Sequence, residues 1–407
     1  MTDPVSVEEH QRRVLEAVAP LAPVARPLLD ALDLVAAEEV RATVSLPGFD
    51  NSGMDGYAVR LADVATATAD QPVELPVAGE IGAGQGGPRE LAPGTVAKIM
   101  TGAPVPAGAD AVVPYEWTDR GADRVRIQQA PEPGQHVRPA GEDVRSGDLV
   151  VAPGTRLGPR HLGLLASVGC AEVRVHPRPR VAVLSTGSEL REPGRPLGHG
   201  QIHDGNSYLL AAAVTRAGGE PQRVGIVPDD AQAFLAVLDD RLAGADLVVT
   251  SGGVSQGDFD VVKAALRERG VWFGPVAMQP GKPQGFGLLE APDGRRVPVV
   301  TLPGNSVSSY VSFTVFVLPA LRRMLGLRPE LPPTVTARLT GPLTSPAGRR
   351  QFLRGAYADG SVTLVGGPGS HLIGGLAQSD CLVVVPERVT ALAEDDEVAV
   401  IRLDGAS

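Results

Sequence analysis

Cysteine is nearly absent: the 407-residue chain has two, Cys170 and Cys381. They form neither a metal-ligand spacing nor a disulfide framework, which leads us to expect a reducing, cytoplasmic setting. Aromatic residues make up only 4% of the chain, too few for a protein that binds RNA or single strands by stacking. Positive charge is in the minority. A formal net charge of −10 argues against nonspecific binding to a phosphate backbone, so no nucleic-acid partner is expected. Lysine is confined to Lys98, Lys263 and Lys282 among 37 basic residues, and codon bias is the plain reading of that. Long apolar runs are also lacking. The stretch from Val307 to Leu321 is broken by Ser308, Ser309, Ser312 and Pro319 and is too short and polar to span a bilayer. The first residues, MTDPVSVEEHQRR, are charged and contain no apolar signal core, so no membrane partner is expected.

What remains can build cores. Hydrophobic residues are 43% and charged residues 21% of the chain, which excludes a disordered tail protein. The length allows two or three domains, or more if some are small. The 49 glycines and 37 prolines make it rich in turns without reaching low complexity. Apolar residues spaced by three and four predict helices over residues 8–19 and 28–40. Residues 72–139 carry short valine-rich runs broken by Gly and Pro, which predict a small β domain. From about residue 178 to 325, strand-like runs alternate with helical segments, the pattern of a parallel α/β sheet. Beyond LRPELPP (327–333) the runs TVTARLT, QFLRGAYA, SVTLVGG and CLVVVPE predict an all-β C-terminal domain. No fixed-period repeat is visible.

The α/β segment repeats one kind of junction. Val181–Leu184 runs into Ser185, Thr186, Gly187, Ser188 and Glu189. Asp246–Thr250 runs into Ser251, Gly252, Gly253, Val254, Ser255, Gln256, Gly257, Asp258, Phe259 and Asp260. Val297–Leu302 runs into Pro303, Gly304, Asn305 and Ser306. Ligands of parallel sheets bind beyond the carboxyl ends of the strands, and glycines let backbone N–H groups approach an oxyanion. Any one loop could be a tight turn; three together point to phosphate or oxyanion binding. None is a GxxxxGK[ST] loop or a full GxGxxG fingerprint, which disfavours P-loop nucleotide hydrolysis and ordinary NAD chemistry. Glu189, Asp204, Asp229, Asp230, Asp258 and Asp260 accompany the glycines. Carboxylates beside a phosphate call for a cation between them, and hard oxygen donors suit Mg²⁺. Asp229 and Asp230 precede a helical pattern, where capping explains them equally well. Lys282 lies in Gln279-Pro280-Gly281-Lys282-Pro283, a rigid turn that would aim an ammonium at an anion; an exposed loop lysine is the alternative. The segments 47–58, 99–106 and 141–143 are dense in turn formers and polar groups, and composition does not say for what.

Together these segments resemble the molybdopterin molybdenumtransferase family, bacterial MoeA and the E domain of gephyrin. The matching motifs are PGFDNSGMDGYAVR (47–60), IMTGAPVP (99–106), GADAVVP (108–114), RPAGEDV (138–144), STGSEL (185–190), SGGVSQGDFD (251–260), PGKP (280–283), LPGNSVSS (302–309) and RRQFLRG (349–355). They occur in the family's order along nearly the whole chain. The resemblance implies a multidomain α/β and β protein. An elongated helical domain comprises 1–45 and 140–177, with a β domain, 46–139, inserted in it. A three-layer α/β domain, 178–327, resembles the molybdopterin adenylyltransferases, and a C-terminal β-barrel domain covers 328–407. It also implies a homodimer whose cleft is shared between subunits, and Mg²⁺-dependent insertion of molybdate into adenylylated molybdopterin with release of AMP. Molybdopterin adenylyltransferase and molybdoenzyme acceptors are the further partners it suggests.

By the same resemblance Asp55, Thr101 and Asp143 face the cleft from one side, while Glu189, Asp229, Asp260 and Lys282 face it from the α/β half. Glu189, Asp229 and Asp260 are the implied metal ligands. Substrate binding falls to Ser185, Thr186, Gly187, Ser251, Gly252, Gly253, Ser255, Gly257, Asp258, Gln279, Pro303, Gly304, Asn305 and Ser306, with Arg350 and Ser370 from the C-terminal domain. The chain departs from the family pattern at Gln256, Gln279 and Ser306, and carries Pro275 where related sequences can have Lys. These departures thin the positive charge at the implied anion site. A molybdopterin adenylyltransferase and a paralogue that binds the cofactor with little turnover are the competing readings.

Overall fold

The computed structural model of the chain describes residues 3–84, 90–227, 230–252 and 261–403, the side chains of 261 and 262 excepted. The first helix, Val7–Glu16, starts at Ser6, whose Oγ accepts the Glu9 N–H at 3.1 Å. Glu8 and Glu9 lie in its first turn and Arg13 in its last, the charge order a helix dipole favours. Its apolar face packs far along the chain. Val14, with Val18 just beyond the helix, joins Val181, Val249 and Leu321 in one core, and Val7 joins Met278, Phe316 and Phe352 in another.

The helix expected over 28–40 does not form. Leu28–Ala31 makes one 3₁₀ turn, Asp33 takes a positive φ of 64°, and Val35–Ala36 is a strand paired with Val175–His176. The apolar residues that mimicked a helical stripe instead fill a core with Leu157, Leu165 and Val173. Long-range pairing outweighs local propensity here. The region expected to be helical is therefore mixed: the helix Pro159–Ser167 stands beside a three-stranded sheet of Val24–Pro27, Glu172–His176 and Val35–Ala36.

The stretch 46–139 holds a five-stranded sheet in the order Ala111–Pro114, Gly56–Val59, Val96–Ile99, Val73–Ile81, Arg124–Ile127. Tyr57 is fully buried in its core and donates its hydroxyl to the Gly121 carbonyl at 2.8 Å.

The α/β sheet runs Glu220–Val227, Arg180–Thr186, Leu247–Ser251, Arg296–Leu302, Pro283–Glu290, Trp272–Pro275. The first four strands are parallel and the last two antiparallel. Both faces are covered, which is why the strands read as nearly unbroken apolar runs. Val181 and Val183 pack with Leu210 and Val214 of the helix Asn206–Arg216. Ala182 and Leu184, pointing the other way, pack with Phe234, Leu238 and Leu242 of the helix Ala231–Leu242.

The C-terminal strands close a ring. Arg350–Ala358 pairs with Ser361–Leu364 and Cys381–Val385, and Glu397–Arg402 joins Cys381–Val385 to Thr334–Leu339, which reaches back to Ser361–Leu364. The closing strand, Glu397–Arg402, is not among the runs that predict the C-terminal domain. Met278–Gln279 adds in parallel to Arg350–Gln351. Val5 donates to the Pro275 carbonyl at 2.9 Å and accepts from Ala277 N–H at 2.8 Å. The chain's first residues, the α/β unit and the barrel thus meet at the base of the turn that carries Lys282. Among the described residues no helix is long and apolar enough to cross a membrane.

Candidate functional site at the strand ends

Three parallel strands end side by side, and one short segment ties them together. Ser185, in the last turn of pleat of its strand, donates its hydroxyl to Asp204 Oδ1 at 3.1 Å. Asp204 is 1% exposed. It also accepts the Ser207 N–H at 3.1 Å and the Ser207 hydroxyl at 2.6 Å, with Arg223 Nη1 at 4.0 Å. A buried carboxylate is tolerable because its lone pairs are satisfied in this way. Two residues on, Asn206 donates Nδ2 to Ser251 Oγ at 2.8 Å and to the Gly304 carbonyl at 2.5 Å. Ser309 donates to the Pro303 carbonyl at 2.7 Å and lies 3.2 Å from Ser251 Oγ. Asn305 Nδ2 donates to Ser370 Oγ at 2.9 Å, and the Val307 N–H reaches the Ser370 carbonyl at 3.1 Å.

Of the residues implied in substrate binding, Ser185, Thr186, Gly187, Ser251, Gly252, Pro303, Gly304, Asn305, Ser306 and Ser370 therefore belong to one connected cluster of strand ends, part buried and part exposed. Gly252 has a φ of 92°, and a Cβ there would stand 2.9 Å from the Thr186 carbonyl. Only glycine lets these two loops approach so closely. Gly253, Ser255, Gly257, Asp258, Asp260 and Asp229 lie outside the described residues. Glu189 is exposed, its carboxylate lies against Gly187, and it forms no ion pair among the described residues. It is a free hard oxygen donor beside the loops.

The turn bearing Lys282 is held from beneath. The buried Gln284 donates Nε2 to the Gly281 carbonyl at 2.7 Å and to Ser312 Oγ at 2.6 Å. Gly281 has a φ of 101°, and a Cβ there would stand 2.8 Å from Ser312 Oγ. Lys282 is half-buried and has no carboxylate partner among the described residues. Gln279 is also half-buried, its backbone paired with Gln351. Arg350 is held between Glu8 at 2.5 Å and Glu387 at 2.9 Å, so its charge is already engaged at the junction of the first helix and the barrel.

Asp55 and Thr101 form a separate, exposed pair. Asp55 Oδ1 accepts both the Thr101 hydroxyl and the Thr101 N–H at 2.7 Å. The hydroxyl donor first, then the backbone donor, hold the carboxyl below the usual range. Asp143 is exposed, with its N–H on the Leu46 carbonyl at 3.0 Å. The strongest residues of the site that sequence reasoning did not assign are Asp204 as an anchor and Asn206 as a bridge. The run Asp204-Gly205-Asn206-Ser207 before a helix reads as an ordinary cap, so the sequence alone offers no sign that it spans three strand ends.

The chain matches three family models: the MoeA N-terminal region (domain I and II) over residues 5–169, the probable molybdopterin binding domain over 182–323, and the MoeA C-terminal region (domain IV) over 336–403. It is 48% identical over 404 residues to molybdopterin molybdenumtransferase 2 of Mycobacterium tuberculosis, covering 97% of this chain and 98% of that one. It is 39% identical over 368 residues to the molybdopterin molybdenumtransferase of Haemophilus influenzae, covering 88% and 89%. Among solved structures, the molybdopterin biosynthesis MoeA protein from Pyrococcus horikoshii superposes with a TM-score of 0.87 at 34% identity, covering 99% of this chain and 100% of that one. The chain belongs to the MoeA family.

Proposed function

We propose that the chain is a molybdenumtransferase of molybdenum cofactor biosynthesis, inserting molybdate into adenylylated molybdopterin with release of AMP. The observation that supports this reading most is the convergence of three Gly- and Ser-rich strand ends on one polar surface. Hydroxyls of Thr186 and Ser306 and the amide of Asn305 offer donors to phosphate and molybdate oxygens, while Ser185 and Ser251, whose buried hydroxyls go to Asp204 and Ser309, hold the strand ends that carry them. Gly187, Gly252 and Gly304 let backbone approach the same oxygens. Lys282, framed by its glycine turn, adds a positive charge with no competing carboxylate among the described residues. Preorganised donors of this kind stabilise developing charge without reorganising during the reaction, so no protein nucleophile is needed.

Glu189, Asp229 and Asp260 would hold Mg²⁺, which suits carboxylates and phosphate oxygens and would neutralise the phosphoanhydride. Asp55, Thr101 and Asp143 belong to the opposite wall of the cleft, supplied by the second subunit of a homodimer. Thr101 orients Asp55 and favours its ionised form. Gln279 donates a neutral hydrogen bond at the anion site. The remaining features of the proposal are a four-part division at residues 45/46, 139/140, 177/178 and 327/328, a cytoplasmic location, and exchange with an adenylyltransferase and with molybdoenzyme acceptors.

The test is turnover by purified protein given adenylylated molybdopterin, Mg²⁺ and molybdate. Molybdate-dependent AMP release is the expected result. Adenylylation of molybdopterin from ATP would make the chain an adenylyltransferase instead, and tight binding without turnover would make it a cofactor-binding protein.

A further inference from the structure

We propose that Asn206 is a positioning residue that sets the spacing of the two loops on which the molybdopterin site is built; the inference rests on the strand-end reading of that site. The hydrogen bonds around it have a fixed direction. A carbonyl can only accept, so the atom of Asn206 that lies 2.5 Å from the Gly304 oxygen is the amide nitrogen. Its other N–H goes to Ser251 Oγ at 2.8 Å. Ser309 spends its single hydroxyl hydrogen on the Pro303 carbonyl at 2.7 Å, so across the 3.2 Å contact Ser251 is the donor and Ser309 the acceptor. Donation therefore runs from Asn206 to Ser251 to Ser309 to Pro303, and from Asn206 directly to Gly304. The two branches end on consecutive carbonyls of one loop.

The ring thus joins the end of the strand Leu247–Ser251 to Pro303-Gly304, and the only residue in it that donates twice is Asn206. No hydroxyl could replace it, since Ser or Thr carries one hydrogen. Its own place is fixed from behind. Asp204, two residues earlier, is pinned to Ser185 and Ser207, and the helix Asn206–Arg216 buries Leu210 and Val214 in the sheet core. Ser251 and Ser309 are buried at 3% and 0% exposure, so water cannot readily replace the donor to Ser251, whereas the bond to the Gly304 carbonyl lies at the surface.

Asn206→Asp keeps the shape and reverses the chemistry. A carboxylate would face the Gly304 carbonyl and would draw the Ser251 hydroxyl away from Ser309. Protonation restores one donor. Among the described residues, Asp204 and Arg223 are the charged groups around the neighbouring Ser207, and both are present in every variant. Molybdopterin affinity is to be measured by fluorescence titration at pH 8 and pH 6 for wild type, Asn206→Asp, Asn206→Ala and Asn305→Ala, with melting temperature as a check on folding. The expected result is roughly tenfold weaker binding by both Asn206 variants at pH 8, from lost hydrogen bonds. Any regain of affinity at lower pH should be confined to Asn206→Asp. Wild-type affinity in folded Asn206→Ala, with Asn305→Ala weakened, would overturn the proposal and leave the site standing. Wild-type affinity in Asn206→Asp at pH 8 would overturn the assigned donor. Wild-type affinity in every variant would overturn the site itself. Should Asn206→Asp not fold, Asn206→Ala and Ser251→Ala decide, because both break the ring and each should lose affinity.

Discussion

The two walls proposed for the cleft are built by opposite means. In the α/β domain the site residues stand on strand ends, and a ring of buried side chains fixes their separation. Around Asp55 the polar groups lie in the open, on a turn-rich loop, and one carboxylate is oriented by one neighbouring threonine. The first wall couples function to folding, because its donors are also part of the core. The second separates them: its residues can change with little effect on the fold. A site that must match the spacing of phosphate and molybdate oxygens gains from the first arrangement. A wall that closes over ligand from another subunit needs only the second.

The largest expected effect is on the buried side. With Arg223 still paired to Glu192, Asp204→Ala leaves the hydroxyls of Ser185 and Ser207 without their acceptor. It should cost about 3 kcal/mol of stability and abolish molybdopterin binding, as read by denaturant unfolding and titration. Intact binding by this variant would break the comparison at its root.

Nearly as large is an acid effect remote from either wall. His10 is fully buried among Trp272, Phe286 and Phe316, with both ring nitrogens unpaired among the described residues. Burial, reinforced by the charge of Arg13 and opposed by Glu9, pushes it down to about 4. The unfolded chain binds a proton below about 6.5, while the folded chain resists until about 4. Stability is therefore whole above pH 6.5 and falls as pH drops toward 4, by about 3 kcal/mol from this group. Urea unfolding of wild type and His10→Phe between pH 7 and pH 4 should show a shallower fall in the variant. Parallel curves would mean that His10 does not contribute.

Gly252→Ala should cost about 2 kcal/mol through its positive φ and the crowding of Thr186, and should lower turnover more than twofold by parting the loops. Thr101→Val should do the reverse. Stability should change by less than about 0.5 kcal/mol, while the acid limb of activity moves up toward the ordinary carboxyl range, since Asp55 loses its hydroxyl donor. A pH–rate profile that matches wild type would remove Thr101 from the role given to it. Smallest is Gln279→Lys. Exchanging a neutral donor for a charged one should tighten apparent molybdate affinity about five- to tenfold at low salt, less at high salt. Arg350, one strand away, does not offset the missing charge because Glu8 and Glu387 already hold it. Equal or weaker affinity in the variant would show that the site is not short of positive charge.

How much of this was legible in the sequence differed between the same two kinds of structure. The parallel sheet and its Gly-rich strand ends could be read because a strand buried on both faces has a local signature, as in Val181–Leu184. The run 28–40 misled because its apolar spacing fits a helix, and only pairing with residues more than a hundred positions away makes Val35–Ala36 a strand. Glu397–Arg402 went unread for a like reason: its role is to close a ring. Asp204 could be seen as an acid near glycines, yet its function as anchor depends on Ser185, nineteen positions earlier. Asn206 could not be singled out at all, because a bridge between two loops leaves no mark on the spacing around it. The engagement of Arg350 by Glu8 is equally a product of tertiary packing.

The central claim, that these two unlike walls form one cleft across two chains, is tested most directly by complementation. Asp55→Ala and Asp260→Ala proteins, each inactive in molybdate-dependent AMP release, are mixed under conditions of proven subunit exchange. One cleft in each hybrid dimer then carries neither substitution, so activity should return to about a quarter of wild type at equal mixing. No recovery despite exchange would contradict the account.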